Sequence, residues 1–156
     1  MAMIHEHLYE SEGFQFINLF DIIQKIVSSV FGPSEGRDSN IRYDVKPHNL
    51  ALSLDQAIPC SLILNELLSN VQRHAYPNKK NGGVQVIMEL LKDNNIFLSV
   101  KDSGIGLPDD MDLDHIKTLG LKLVMILAKE QLKGDIKFNS HGGTTVAITF
   151  KSMTST

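Results

Sequence analysis

The chain has a single cysteine, Cys60, so no internal disulfide can staple it. Cys60 stands in an apolar run of helical period, which reads as a small buried hydrophobe and not as a reactive thiol; a reducing compartment fits that usage. Long hydrophobic runs are also missing. No apolar stretch reaches the roughly 18 residues that a membrane-spanning helix needs, and the opening Met1-Ala2-Met3-Ile4-His5-Glu6-His7 does not have the layout of a signal peptide. The expectation is a cytoplasmic piece with no direct membrane contact of its own, whether or not a longer parent is anchored. There is no excess of charge of one sign either. Fifteen Lys and Arg against 18 Asp and Glu leave a net charge of -3, which gives no general attraction to nucleic acid or anionic lipid. Any anion bound here must be held by local groups. Internal repeats and low-complexity tracts are absent, and the composition breaks only at short turn clusters, Gly32-Pro33-Ser34-Glu35-Gly36 and Pro77-Asn78-Lys79-Lys80-Asn81-Gly82-Gly83. One domain is expected.

What is present suits a core. At 156 residues and 42% hydrophobic composition, a chain removes roughly 70% of its unfolded surface from water. Leu19, Ile22, Ile23, Ile26, Val27 and Val30 share one face at helical period, predicting a helix over 17–31 packed on something flat. Short alternating or apolar runs at 41–45 and 50–54 predict strands. Asp55 is then expected to cap a long helix that reaches about Ala75, where Tyr76-Pro77 ends it; Pro59 falls in its first turn, where proline is tolerated. Runs at 84–91 and 96–102 predict a hairpin around Lys92-Asp93-Asn94-Asn95, and 103–117 has no regular period. Thr118 opens a further helix through Leu121, Leu123, Val124, Leu127 and Ala128, stopped by Gly134. A second hairpin, 136–139 and 145–150, closes around His141-Gly142-Gly143. This order predicts an α+β fold: a two-layer α/β sandwich whose mixed, largely antiparallel sheet carries helices on one face.

Three local constellations carry chemistry. On the long helix Glu66, Asn70, Arg73 and His74 gather within about a third of the circumference, opposite an apolar stripe of Leu64, Leu67, Leu68, Val71 and Ala75. The same pattern would suit a plain solvent face, but asparagine is a mediocre helix former in mid-helix, so something other than propensity favours Asn70. Asp102-Ser103-Gly104-Ile105-Gly106-Leu107-Pro108 follows a strand directly, and its glycines let the backbone turn sharply and approach a ligand. A dinucleotide fingerprint would need a third glycine at Asp109 and an immediate helix, which Pro108 and the acidic residues after it oppose. No Gly-x-x-x-x-Gly-Lys-Ser/Thr occurs, excluding a Walker-type cradle. Asp110-x-Asp112-x-Asp114 is no calcium loop, because His115 stands at the required glycine and Leu121 at the required glutamate. Finally, Thr118-Leu119-Gly120-Leu121 is a small-residue helix entry whose free N–H groups favour phosphate oxygens.

In combination these segments resemble the histidine-kinase branch of the superfamily that also holds gyrase, chaperone and mismatch-repair ATPases. Leu64-Asn65-Glu66-Leu67-Leu68-Ser69-Asn70-Val71-Gln72-Arg73-His74-Ala75-Tyr76-Pro77 is similar to that family's N box, Asp102-x-Gly104-x-Gly106 to its first glycine box, and Thr118-Leu119-Gly120-Leu121-Lys122-Leu123-Val124 to its second. Gly142-Gly143-Thr144-x-Val146-x-Ile148-x-Phe150 is similar to its last strand. Residues 1–14 resemble the end of a dimerisation helix or linker, which leaves 15–156 as an ATP-binding catalytic domain of the Bergerat type.

The resemblance implies ATP and magnesium as cofactors and transfer of the γ-phosphate to a histidine on another segment of a two-component sensor kinase. The implied partners are the dimerisation and phosphoacceptor segment of a homodimeric parent and a response regulator downstream. Asn70 then supplies an amide oxygen to magnesium, and Glu66 is catalytic, orienting a metal-bound water or accepting a proton. Arg73 pairs with terminal phosphate; His74 is a phosphate contact or a structural helix-end residue. Asp102 accepts the adenine exocyclic amine, a bond that guanine's carbonyl cannot make, with Thr144 or its neighbour Thr145 supporting that edge through water. Gly104 and Gly106 shape the loop, and Thr118, Leu119, Gly120 and Leu121 present the helix entry. Thr118 departs from the glycine that often begins the second box, and the lid over 107–117 is short and acidic. His5 and His7 are not read as the phosphoacceptor, which belongs upstream. An anti-sigma-factor-type protein-serine kinase and a nucleotide-binding regulatory domain without transfer chemistry share the same boxes.

Overall fold

The computed structural model describes residues 16–33, 40–75, 83–104, 119–140 and 142–153. Strand β1, Phe16–Asn18, leads into helix α1, Leu19–Phe31. The expected start at Ile17 shifts because Asn18 takes the N-cap, its Oδ1 accepting the Asp21 N–H at 3.0 Å. Leu19, Ile23 and Val27 are buried at steps of four residues, so α1 lays one stripe on the sheet. It ends at Gly32, whose φ of 86° suits glycine and whose N–H reaches the Ser28 carbonyl.

Five strands form the main sheet: β2 Asn40–Lys46, β4 Gly83–Leu90, β5 Asn95–Asp102, β6 Asp135–Asn139 and β7 Thr144–Lys151, in the order β2-β4-β5-β7-β6. Only the β2–β4 pair is parallel; β4–β5, β5–β7 and β6–β7 are antiparallel. The mixed, largely antiparallel sheet is the one expected. The run at 50–54 behaves differently: only Ala51–Ser53 is extended, as β3, and it pairs with β1 in a separate two-stranded ribbon. The β4–β5 connection turns through Asp93 and Asn94, both left-handed at φ of about 61° and 62°, a conformation those two residue types tolerate better than most.

Helix α2, Leu54–Asn70, begins one residue before the expected cap. Ser53 occupies the N-cap in extended geometry without a side-chain cap bond, and Asp55 sits in the first turn, where its charge suits the helix dipole. A π-helical turn, Val71–Ala75, carries α2 to the expected end. Helix α3, Leu119–Ile126, is likewise extended by a π-helical turn, Leu127–Gln131, before Lys133 and Gly134 stop it. Gly134 is required there, since a Cβ would overlap the Thr149 carbonyl.

Period-2 alternation places Val84, Val86 and Met88 of β4, Ile96, Leu98 and Val100 of β5, and Val146, Ile148 and Phe150 of β7 on the helix-facing side, all buried. Against them α2 buries Cys60, Ile63, Leu64, Leu67 and Leu68, and α3 buries Leu121 and Val124. Burial pushes the Cys60 thiol up to about 12, which makes it the inert core residue that its sequence context indicates.

Gln56 fixes where α2 lies along this sheet. It is buried, its Nε2 donates to the Lys151 carbonyl and its Oε1 accepts the Met153 N–H, both at 2.8 Å. Lys151 pairs with Asn95 at the start of β5. From Gln56 to Asn70 the helix rises about 21 Å, and β5 from Asn95 to Asp102 extends about 23 Å. An α2 lying along the sheet therefore carries Glu66 and Asn70 toward the end of the sheet that holds Asp102.

Candidate functional site

The alternation that buries Ile96, Leu98 and Val100 reaches Asp102 on its next beat. A carboxylate thus stands where the strand's core stripe would place another apolar residue, and it is 5% exposed. Thr144 lies directly across the β5–β7 ladder from Asp102, at the corresponding end of the β7 core stripe. The Gly104 N–H donates to Asp102 Oδ1 at 2.8 Å, closing the backbone turn that follows the strand. Burial raises the carboxyl's pKa above the ordinary aspartate value, and the N–H groups of Gly104 and Thr144 pull it back toward ionisation. Such a group costs stability unless a partner uses it.

Gly143 explains how the last hairpin reaches this corner. Its φ is 120°, and a Cβ there would overlap the Asp102 carbonyl, so the β6–β7 turn closes on the end of β5 only because the position has no side chain. The sequence reading placed Gly142 and Gly143 in a turn and missed this close approach. The available signal was the register itself, since Asp102 and Thr144 are partners at the two strand ends.

The second cluster forms on α2 and α3. Arg73 Nη2 donates to Asn70 Oδ1 at 2.9 Å, across the junction where α2 widens into its π-helical turn. Single π turns inside helices recur at functional sites, and nothing in the propensity of Val71-Gln72-Arg73 announces one. Glu66, one turn before Asn70, faces the start of α3: a Cβ at Gly120 would stand 2.5 Å from Glu66 Oε2. Gly120 thus lets the carboxylate and the helix entry come together. Leu121 is buried, while Leu119 is 83% exposed, so of that predicted pair one serves the core and the other faces solvent.

The structure thus brings Asp102, Gly104 and Thr144 together in one corner and Glu66, Asn70, Arg73 and Gly120 in another. The backbone of His74 lies within the π-helical turn. Gly106, Thr118, the lid over 107–117 and the expected helix end over 1–14 lie outside the described residues. Among the described residues no group of three or more His, Cys, Asp or Glu is placed to hold a metal ion. The Asn70 amide is a single neutral oxygen donor, which suits a divalent cation whose other oxygens come from a ligand such as a polyphosphate. Among the described residues no helix is long and apolar enough to cross a membrane.

Comparisons with known proteins agree with this fold. A family model described as histidine kinase-, DNA gyrase B-, and HSP90-like ATPase matches residues 55–154. Sensor histidine kinase PdtaS of Mycolicibacterium smegmatis is 26% identical over 150 residues, which cover 95% of this chain and 30% of that protein. Among solved structures, the histidine kinase domain of a blue-light activated histidine kinase from Erythrobacter litoralis superposes with a TM-score of 0.72 at 22% identity, covering 86% of this chain and 59% of that one. Histidine kinase ThkA, solved in complex with the response regulator protein TrrA, gives a TM-score of 0.72 at 17% identity and covers 89% of this chain and 42% of that one. The chain spans about a third or less of the length of the sensor kinases that it matches in sequence.

Proposed function

The chain belongs to the histidine kinase-, DNA gyrase B- and HSP90-like ATPase family, and from that membership we propose that it binds Mg-ATP and donates the γ-phosphate to a histidine on another segment of a two-component sensor kinase. The observation that carries this reading is the buried carboxylate of Asp102 opposite Thr144 at the end of the core stripe. A buried carboxylate flanked by a backbone turn still has lone pairs beyond those that the Gly104 and Thr144 N–H groups use, and these suit the exocyclic amine of adenine; a charge-assisted bond of about 1.5 to 3 kcal/mol favours adenine over guanine. Asn70 would hold the magnesium through its amide oxygen. The metal's chemistry there is to neutralise charge on the phosphates. An amide oxygen has two lone pairs, so it can face a cation while Arg73 still donates to it. Repulsion between two cations then favours release of the Arg73 guanidinium toward phosphate. Glu66, beside the α3 entry, orients a water or takes a proton at its Oε2.

The whole pathway extends beyond this chain. A dimerisation segment upstream supplies the phosphoacceptor, a homodimeric parent places it, and a response regulator receives the phosphate, all in the cytoplasm. The test is to supply a segment bearing the acceptor histidine together with magnesium and ATP, and to look for acid-labile phosphate on it. Glu66→Ala should suppress transfer and leave ATP binding in place. Binding without any transfer would instead support a regulatory nucleotide-binding domain, and acid-stable phosphate on a serine would support a protein-serine kinase.

A further inference from the structure

The main sheet ends at β2, and among the described residues β2 is paired on one side only, with β4. Half of the N–H and C=O groups of such a strand point away from the sheet and offer themselves to another strand. A groove of about 580 Å³ runs along that edge, lined by Phe20, Ile41, Arg42, Tyr43, Asp44 and Gln85. Successive side chains of a strand point to opposite faces, so a groove touched by four consecutive residues lies against the strand's edge and not on either face. Phe20 bounds it from the helix layer, its ring 5.3 Å from that of Tyr43. Gln85, which alternates with the buried Val84 and Val86, bounds it from the outer face of the sheet.

Charge commonly blunts an exposed edge, and β2 carries Arg42, Asp44 and Lys46, all exposed, on its outer face. Their signs alternate, so that the edge complements itself in one register. An antiparallel pair with its two-fold axis at Tyr43 sets Arg42 opposite the partner's Asp44 and, by symmetry, Asp44 opposite the partner's Arg42. On the helix-facing side the same register sets Ile41 opposite Val45 and brings the two Tyr43 rings side by side. An axis at Arg42 or at Asp44 faces that charge with itself, and an axis at Val45 sets Tyr43 opposite Pro47, which has no N–H to give. Asp44 has Lys46 of its own strand at 3.6 Å, with both side chains more than half exposed. A carboxylate has lone pairs enough to take a guanidinium as well.

We propose that a second copy of this chain pairs with it along β2, antiparallel about Tyr43, so that one sheet runs through both copies. The charge pattern selects this occupant over an unrelated extended peptide, because a two-fold contact needs each position to meet its complement in an identical strand. Residues 41–45 span only about 17 Å. The contact is therefore at the small end of specific interfaces and gives a reversible, concentration-dependent dimer. β4 stands between β2 and the strand that bears Asp102, and the pairing is independent of any nucleotide.

Sedimentation equilibrium of the full 156-residue chain without nucleotide, at concentrations reaching about 1 mM, tests this. The average mass should rise toward that of two copies. Arg42→Asp and Asp44→Arg, each at an exposed position, should leave the circular dichroism unchanged and each weaken association roughly tenfold or more, since every opposed pair then carries like charges. An equimolar mixture of the two variants should associate again, because one strand then has carboxylates at positions 42 and 44 and the other has guanidinium groups at both. Hydrogen exchange should show the amides of residues 41–45 gaining protection as the dimer forms. A chain that stays monomeric throughout overturns the proposal, as does a dimer that persists in both variants or a mixture that fails to associate. A dimer that survives both and dissolves on Ile58→Asp would place the contact at that 53% exposed residue of α2 and overturn it as well.

Discussion

Asp102 serves two opposed ends. Burial holds its carboxyl pKa above the ordinary value, with the Gly104 and Thr144 N–H groups only partly offsetting this. A group whose pKa is raised by folding binds its proton more tightly in the folded state. Its contribution is then favourable below the ordinary carboxylate pKa and is lost as the pH rises through the raised value. At neutral pH the ionised carboxylate is thus a stability cost that a ligand's amine can offset. Asp102→Asn should therefore raise the denaturant midpoint at pH 7, with the gain shrinking as the pH falls through the carboxylate range. Calorimetry should meanwhile show ATP binding weakened by roughly tenfold or more, the loss of one charge-assisted bond. A variant that is less stable at pH 7, or that binds ATP unchanged, would contradict the assignment. Gly120 poses the converse case. Alanine is favoured over glycine within a helix by up to about 1 kcal/mol, and the atom that a Cβ would meet is the mobile tip of Glu66. Gly120→Ala should hold or raise the melting temperature and yet slow phosphate transfer, because the displaced carboxylate is the one proposed to orient the water or take the proton. Equal transfer rates in the two proteins would remove Glu66 Oε2 from the mechanism.

Among elements, the β6–β7 turn separates two glycine effects that look alike in sequence. Gly142 has φ of 65° with open space around it, whereas Gly143 has φ of 120° and faces the Asp102 carbonyl. Gly142→Ala should cost about 1 kcal/mol from backbone strain alone. Gly143→Ala should cost several times that and also weaken ATP binding, since relief of the overlap must move the end of β5. Urea denaturation and calorimetry of the two variants side by side check this, and equal costs would refute it. The distinction also marks how far the sequence could be read. Period-2 and period-3.6 apolar patterns carried the sheet, the three helices and both hairpins, because burial in two layers imposes those periods directly. They did not carry features whose cause lies across the fold. Asn18 could be found only by asking which residue's side chain reaches the Asp21 N–H. Ser53, not Asp55, precedes the first turn of α2 because β3 must pair with β1 up to that point. The π-helical turn after Asn70 follows no local propensity. The glycine boxes pointed to the family, but the burial of Asp102 and the meeting of Gly120 with Glu66 are tertiary facts.

At the scale of the whole molecule, the two corners of the site belong to different layers, Asp102 and Thr144 to the sheet and Glu66, Asn70 and Arg73 to the helices. Apolar packing holds the layers together but is non-directional and fixes the position of a helix along its own axis only weakly. Directional bonds supply that axial coordinate, and Gln56 makes two of them at the far end of α2, to the Lys151 carbonyl and the Met153 N–H. Asn94 adds two more bonds at the same strand end, its side chain donating to the Ser152 carbonyl at 3.2 Å and its carbonyl accepting the Ser152 N–H at 2.8 Å. Gln56→Leu keeps the volume of the buried side chain and leaves one carbonyl and one N–H without these partners, at about 1 to 3 kcal/mol each. Loss of stability in urea is therefore expected. The sharper expectation concerns a site about 21 Å away along the helix: with its axial anchor gone, α2 can slide on the sheet, and a ligand that must touch Asn70 and Asp102 together should bind more weakly even where the variant is fully folded. Calorimetry at low temperature, on protein whose circular dichroism matches the parent, reads that effect. Lower stability with undiminished ATP affinity would mean that side-chain packing alone sets the spacing between the two layers.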